Sequence, residues 1–257
     1  MKTKITNDII KNGYHKFKLN QKAFKKLKEI LLKEITSKTK LKKINLSKIH
    51  NKINIKDLND LRLGIFHSIN KNLNFKKALY LSAKEKINYC VGSEICSSDA
   101  NLSIQFPNDQ SSLLRMHTDF FSGESIFQVN LWIPFVNVKK TQSMFIINPI
   151  NSIKILKKIK NDKLITFDHI DKKYQSKMKW LTINEGEAVL FSPNCLHGNV
   201  VNIEKNTRWS INIRYKNIFS PYSNHENEKK IGSFYKPLNL GAITQFNLHY
   251  NFDEIAK

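Results

Sequence analysis

Apolar residues recur at intervals of three and four through the first ninety positions. Phe24, Leu27, Leu31 and Ile35 form one stripe and Leu58, Leu61, Ile65 and Ile69 another, the spacing that gathers side chains on one face of a helix. Each stripe predicts a helix with a buried face. From about residue 101 the pattern changes. NLSIQF, SLLRMHTD, IFQVNLWIPF, SMFIIN, KLITF, EAVLFSP and RWSINIRY are short runs of alternating or β-rich composition, and each predicts a strand. Their connections are mostly short and carry no regular intervening helix, which disfavours a doubly wound parallel sheet and favours a barrel or a two-sheet sandwich. The exception is a Lys-rich insert at residues 150–180, where SIKILKKIKND predicts a helix. No Pro/Gly/Ser-rich linker divides the chain. The expectation is therefore a single domain over residues 1–257, mainly β with N-terminal helices, in which a helical part at about 1–95 buttresses a β core at about 100–257.

Composition narrows the class. At 257 residues, 40% hydrophobic and 11% aromatic, the chain can fill one sizeable core, and disorder is excluded as its main state. No apolar run approaches the roughly 20 residues that span a bilayer. The start, MKTKITNDIIKNGYHKFK, lacks the apolar stretch of a secretory signal. A cytoplasmic protein with no membrane partner is expected. Cys90, Cys96 and Cys195 show no CxxC spacing and are expected as buried thiols. The formal charge of +22 points towards nucleic acid, yet only four of the 43 basic residues are arginine, the side chain that forks onto phosphates and guanine edges. Lysine excess pervades the chain and is greatest over residues 1–57, which hold 17 Lys against 4 acids. A solvated helical face accounts for it better than a nucleic-acid groove.

The candidate chemistry begins at HTD. His117 and Asp119 flank Thr118 at the end of a predicted strand, where alternate residues share a face. His197, in FSPNCLHGN directly after the strand EAVLFSP, is the third metal-capable side chain, placed near the first pair if the strand runs out at a barrel mouth. Two imidazoles and a carboxylate on one face of an octahedral ion leave three positions open, the pattern of non-haem Fe(II) oxygenases. Eleven residues beyond His197 lies Arg208, in a strand whose Arg208, Ser210, Asn212 and Arg214 alternate with Trp209, Ile211, Ile213 and Tyr215. Two of four arginines in one short strand argue against a mere solvated charge. A guanidinium grips a carboxylate in a bidentate way that lysine cannot, so Arg208 with Ser210 suits the distal carboxylate of a dicarboxylic cosubstrate. Gln105, Gln128 and Asn130 sit where they could hydrogen-bond cosubstrate or substrate, or form a structural amide network instead. Trp132 and Trp209 read as core. His169 and His225 lie in polar stretches and receive no role. The end segment KIGSFYKPLNLGAITQF either covers the barrel mouth or packs on the sheet.

The order HTD, FQVNLWIPF, GEAVLFSPNCLHG and RWS resembles the Fe(II)/2-oxoglutarate dioxygenases of the phytanoyl-CoA dioxygenase type, and within them the oxygenases of bacterial carbohydrate and surface-polysaccharide gene clusters. The resemblance spans residues 100–215. It implies a double-stranded β-helix, the cupin-like jelly roll; Fe(II) held by His117, Asp119 and His197; 2-oxoglutarate held by Arg208 and Ser210; and O2 as oxidant, while Gln105 and Asn130, from their strand faces alone, are taken as further cosubstrate contacts. The implied reaction hydroxylates a C–H bond of a small organic substrate such as a carbohydrate or natural-product intermediate. The chain departs from the family at KKTQSMFIINPINS, where a glycine turn and a PGSH-like segment are common, so the substrate-side loop does not transfer. A non-catalytic metal-binding jelly roll is the main alternative; a basic nucleic-acid-binding protein and a zinc hydrolase on the same ligands stand lower.

Overall fold

The computed structural model describes residues 2–161, 173–222 and 228–250. The predicted strand KLITF, His169 and His225 lie outside the described residues. The chain opens with α1 (Lys2–Asn12), β1 (Tyr14–Lys18), α2 (Gln21–Thr39), α3 (Leu58–Lys71) and α4 (Leu73–Val91). It continues through β2 (Ile95–Ser97), β3 (Asn101–Gln105), β4 (Gln128–Pro134), β5 (Phe145–Ile146) and α5 (Pro149–Asn161). There follow β6 (Lys179–Trp180), β7 (Glu187–Phe191), β8 (His197–Gly198), β9 (Arg208–Asn217), β10 (Lys236–Asn239) and α6 (Ala242–Tyr250). Helices hold more of the described residues than strands do. The chain is thus mixed α and β, not mainly β, because most of the β-rich runs yield strands of five residues or fewer.

Local chemistry sets the helix ends. Asn20 caps α2 by accepting the Ala23 N–H, and Asn72 caps α4 by accepting the Phe75 N–H, each satisfying a donor that the first turn leaves open. Gly92, with φ at +84°, ends α4, a conformation costly for residues with a Cβ. The two apolar stripes of α2 and α3 are buried throughout, while Lys22, Lys25, Lys26, Lys33 and Lys38 of α2 face solvent. Among the described residues no helix is long and apolar enough to cross a membrane.

All strand pairs are antiparallel. The larger sheet runs β1-β7-β4-β9-β2-β10, with β3 also on β9; the smaller runs β6-β5-β8. Strand β9 is the spine of the larger sheet: β4 flanks one edge, and β3 and β2 divide the other. Its Trp209, Ile211, Ile213 and Tyr215 face the helices, where the Trp209 indole N–H donates to the Leu46 carbonyl at 3.0 Å and Tyr215 lies beside Tyr80. Its other face, Arg208, Ser210, Asn212, Arg214 and Lys216, looks inward, as the alternation predicts. Register puts Gln128, Asn130 and Trp132 of β4 and Asn101, Ser103 and Gln105 of β3 on that face too.

The run SLLRMHTD does not form a strand. Asp109 accepts the Ser111 N–H at 2.7 Å and the Ser112 hydroxyl at 2.6 Å, so a side-chain turn replaces a β ladder; Leu114 is exposed, and pairing survives only as the bridge between His117 and His197. The end segment packs on the sheet, with β10 on the edge of β2 and the Tyr235 side chain buried. The cysteines are free. Cys96 and Cys195 are buried and Cys90 partly so, and burial pushes their thiols up to about 11 at Cys90 and Cys96 and about 12 at Cys195.

Two measurements test this packing. Ile65→Ala, which empties a fully buried site on α3, should lower unfolding free energy by about 2–5 kcal/mol, whereas Leu63→Ala on the same helix, 47% exposed, should change it by about 0.5 kcal/mol or less. Denaturant midpoints that move equally would place α3 in the wrong orientation. The thiols should resist alkylation at pH 8 in the native protein and react promptly in denaturant.

Candidate active site

His117, Asp119 and His197 converge although 80 positions separate the two histidines. One ligand atom from each lies within 4.8 Å of the others. His117 Nε2 is 3.4 Å and His197 Nε2 3.7 Å from Asp119 Oδ1. The histidines share a backbone bridge, each N–H meeting the other's carbonyl at 3.0 Å. Gly198 makes this approach feasible: a Cβ there would meet the carbonyl oxygens of Leu114 and Arg115 at 2.8 and 2.9 Å. Asn199 completes the clamp, accepting the Leu114 N–H at 2.6 Å and donating to the Ser112 carbonyl at 3.2 Å.

The rings are oriented alike. His117 Nδ1 donates to the Arg115 carbonyl at 2.8 Å and His197 Nδ1 to the Cys195 carbonyl at 2.9 Å. A carbonyl only accepts, so each ring in its neutral form carries the proton on Nδ1 and turns the Nε2 lone pair to the common point. Burial, then the neighbouring His117, pushes His197 down to about 4, and its ring is neutral near pH 7. Burial lowers His117 as well, but the Asp119 hydrogen bond and the Arg115 carbonyl outweigh it and leave the group above its ordinary value. Burial raises Asp119, yet His117, His197, Arg214 and Asn130 together hold it well below the usual carboxylate range. Asn130 Nδ2 donates to Asp119 Oδ2 at 2.5 Å, and Arg214 Nη2 stands 3.5 Å from Oδ1.

A cavity of about 230 Å³ joins this cluster to the inner face of β9, between the two sheets. Leu114, His117, Trp132, Phe191, His197, Arg208 and Ser210 are among its walls. Trp132, expected as core, therefore serves as cavity wall as well, whereas Trp209 belongs to the helix-facing core. The two arginines of β9 have opposite surroundings. Arg214 is compensated by Asp119 and by Glu124, whose Oε2 accepts from Nε at 2.7 Å. Arg208 is buried, donates to the Ser143 carbonyl at 3.2 Å and the Ser103 hydroxyl at 2.9 Å, and pairs with no carboxylate among the described residues. Burial first, and the nearby Arg62 second, push it down to about 10, so it remains a cation. Arg208 Nε, the Ser210 hydroxyl and Asn212 Oδ1 have no hydrogen-bond partner.

The structure thus groups His117, Asp119, His197 and Asn130 directly and sets Arg208 and Ser210 on the same cavity. Gln105 is apart: it lies beside Arg208 in register, but its Nε2 donates to the Val200 carbonyl and it does not line the cavity. Sequence reasoning missed Glu124, which is 4% exposed and held by Arg214, Gln128 and Lys229. No periodicity marks a single acid in a turn. A larger cleft, about 750 Å³, lies between α1, the end of α4 and the end of β9 and is lined mainly by apolar side chains such as Ile5, Ile9, Phe127 and Val129. Among the described residues the cluster of metal-capable side chains is that of His117, Asp119 and His197.

No family model and no curated protein matches the chain. Solved structures do. A nickel complex of ThoJ, a non-heme monooxygenase, superposes with a TM-score of 0.53 over 98% of this chain and 96% of its own, at 11% identity. HygX from Streptomyces hygroscopicus, with nickel and 2-oxoglutarate bound, gives 0.51 over 88% and 91% at 7% identity. AviO1 from Streptomyces viridochromogenes Tue57 gives 0.50 over 86% and 97% at 13% identity. At these identities the likeness is one of fold.

The clamp is open to test. Gly198→Ala should force the 114–117 segment away and lower stability by about 1–3 kcal/mol, with changed imidazole NMR shifts for both His117 and His197. A variant with the parent's unfolding midpoint and unshifted rings would show that the two segments are not held in contact.

Proposed function

We propose that this protein is an Fe(II)- and 2-oxoglutarate-dependent oxygenase that hydroxylates a C–H bond of a small organic molecule, and that its two sheets form a double-stranded β-helix. One observation carries the reading: a buried guanidinium with no carboxylate partner among the described residues shares a cavity with His117 and His197, the two histidines that converge with Asp119 on one point. Burying a cation without a counter-charge is costly, and Arg208 has donors to spare. An anionic ligand resolves both.

The residues fit the implied groups. Nitrogen and oxygen donors without a thiolate suit a divalent first-row metal, and a two-histidine, one-carboxylate set leaves coordination positions free. Carbonyls behind both imidazoles and Asn130 behind the carboxylate provide the outer support that such sites use. Arg208 Nε and the Ser210 hydroxyl, both without partners, would hold the far carboxylate of 2-oxoglutarate. Iron, 2-oxoglutarate and O2 would together supply the oxidising power when bound. The chain's own part is to fix these groups in one orientation and to exclude water, for which Trp132, Phe191 and Met144 line the cavity walls. The bound nickel and 2-oxoglutarate of HygX, and the monooxygenase description of ThoJ, support the reading through shared fold. The phytanoyl-CoA dioxygenase resemblance and the carbohydrate or natural-product substrate class rest on the sequence motifs. A non-catalytic metal-binding protein would need the triad but leaves Arg208 unexplained.

Anaerobic titration tests this. Fe(II) and 2-oxoglutarate together, and neither alone, should give a weak visible charge-transfer band. Arg208→Lys keeps the charge but loses the fork, so 2-oxoglutarate affinity should fall roughly ten- to a hundredfold while Fe(II) affinity holds. Equal titrations for parent and variant would overturn the assignment of Arg208.

A further inference from the structure

Behind Asp119 runs a chain of hydrogen bonds whose direction is set at its far end. Asn130 Nδ2 donates to Asp119 Oδ2 at 2.5 Å. Gln128 Nε2 donates to Asn130 Oδ1 at 3.1 Å and to Glu124 Oε2 at 2.8 Å. Tyr235 donates its hydroxyl proton to Gln128 Oε1 and accepts the Ser125 N–H on the same oxygen at 3.2 Å. All of these side chains are buried. Glu124 is fixed in turn by Arg214 Nε at 2.7 Å and by Lys229 Nζ at 3.2 Å.

An amide can point either way, and here only one way closes the network. Turned over, Gln128 would set its oxygen against the Glu124 carboxylate and the Asn130 carbonyl. A turned Asn130 would set its oxygen against Asp119 Oδ2. Each error buries two acceptors face to face, at the cost of an unsatisfied group. Glu124, which only accepts, and Tyr235, whose proton goes to Gln128, therefore decide that a donor meets Asp119. That donor ties up Oδ2 and leaves Oδ1 facing the two histidines.

We propose that Tyr235 and Glu124 are positioning residues for the metal centre: through Gln128 and Asn130 they fix the polarity of the relay, so that Asp119 offers one oxygen, in one rotamer, to the ion. The proposal rests on the metal reading given above. It assigns a task to the end segment, which contributes Tyr235, and to Lys229 just before it, both more than a hundred positions beyond the ligand they serve.

The test is the dissociation constant of Ni(II) alone, measured by calorimetry without cosubstrate, together with the visible spectrum of the Co(II)-loaded protein. Tyr235→Phe keeps the ring and removes the proton that orients Gln128. Its Ni(II) affinity should drop about three- to tenfold and its Co(II) spectrum should change shape; Glu124→Gln, which can present a donor to Gln128 and so permit the reversed orientation, should lose about tenfold or more. Tyr80→Phe is the control, since it loses a buried-side hydrogen bond to Asn88 on the helix-facing side of the sheet; its Ni(II) affinity should equal the parent's. Folded Tyr235→Phe and Glu124→Gln proteins with the parent's affinity and spectrum would overturn the relay while leaving the metal site standing. A parent that does not bind Ni(II) or Co(II) would overturn the metal reading itself, and the relay with it. Should Glu124→Gln fail to fold, the near-isosteric Tyr235→Phe decides the matter alone.

Discussion

A carboxylate buried as deeply as that of Asp119 must be ringed by donors, because no water is at hand to solvate it. Much of the polar interior follows from that requirement. Asn130 donates to one oxygen, and the Arg214 guanidinium stands beside the other. Arg214, now buried itself, requires an acid of its own, which is Glu124, and Glu124 draws Lys229 from the end of the chain. The result alternates in charge from the centre outward. Each member compensates the one before it, and the last, Lys229, reaches solvent. Such a network stands or falls together, since removing one partner strands a charge inside.

The same strand breaks this rule once. Arg208 has no acid partner among the described residues, and the charge that acts on it is another arginine, Arg62. Six positions apart on one face of β9, one guanidinium is fully answered and the other is not. An anion that bound there would stabilise the chain, because a molecule that binds only the folded state does so by mass action. Trp132 and Phe191 stand in the walls of the cavity that Arg208 shares, where they would limit the access of solvent to an anion bound there. Arg62 meanwhile holds the Ser112 hydroxyl at 2.6 Å and the Ile104 carbonyl at 3.1 Å, linking the helical layer to the segment that leads into His117.

What could be read from the sequence was whatever repeats. The stripes of α2 and α3 and the alternation of β9 are periodic, and their buried and inward faces emerged as expected. The HTD and LHG segments could be paired because each closes a recognisable run. Other features depend on single contacts between distant positions. SLLRMHTD alternates well enough to pass for a strand, but Asp109, three residues upstream of Ser112, captures the backbone in a turn. Glu124 stands in an unpatterned loop. Tyr235 sits in an aromatic stretch that could equally have been a cover for the cavity. Gln105 shows the opposite error, since it faces inward as its register requires yet spends its amide on the Val200 carbonyl. Facing the interior does not place a side chain on the cavity.

The bridge between His117 and His197 has a consequence for the stability of the whole chain. The segment carrying His117 is not woven into a sheet; one bridge, the Asn199 clamp and the Asp109 turn hold it. An ion gripping both imidazoles would act as a cross-link between two points 80 positions apart. Closing so long a loop removes conformational freedom from the unfolded chain, much as a disulfide does, and metal binding of this kind is folding free energy in its own right. A metal ion at this centre would thus be a staple of the fold as much as a reagent.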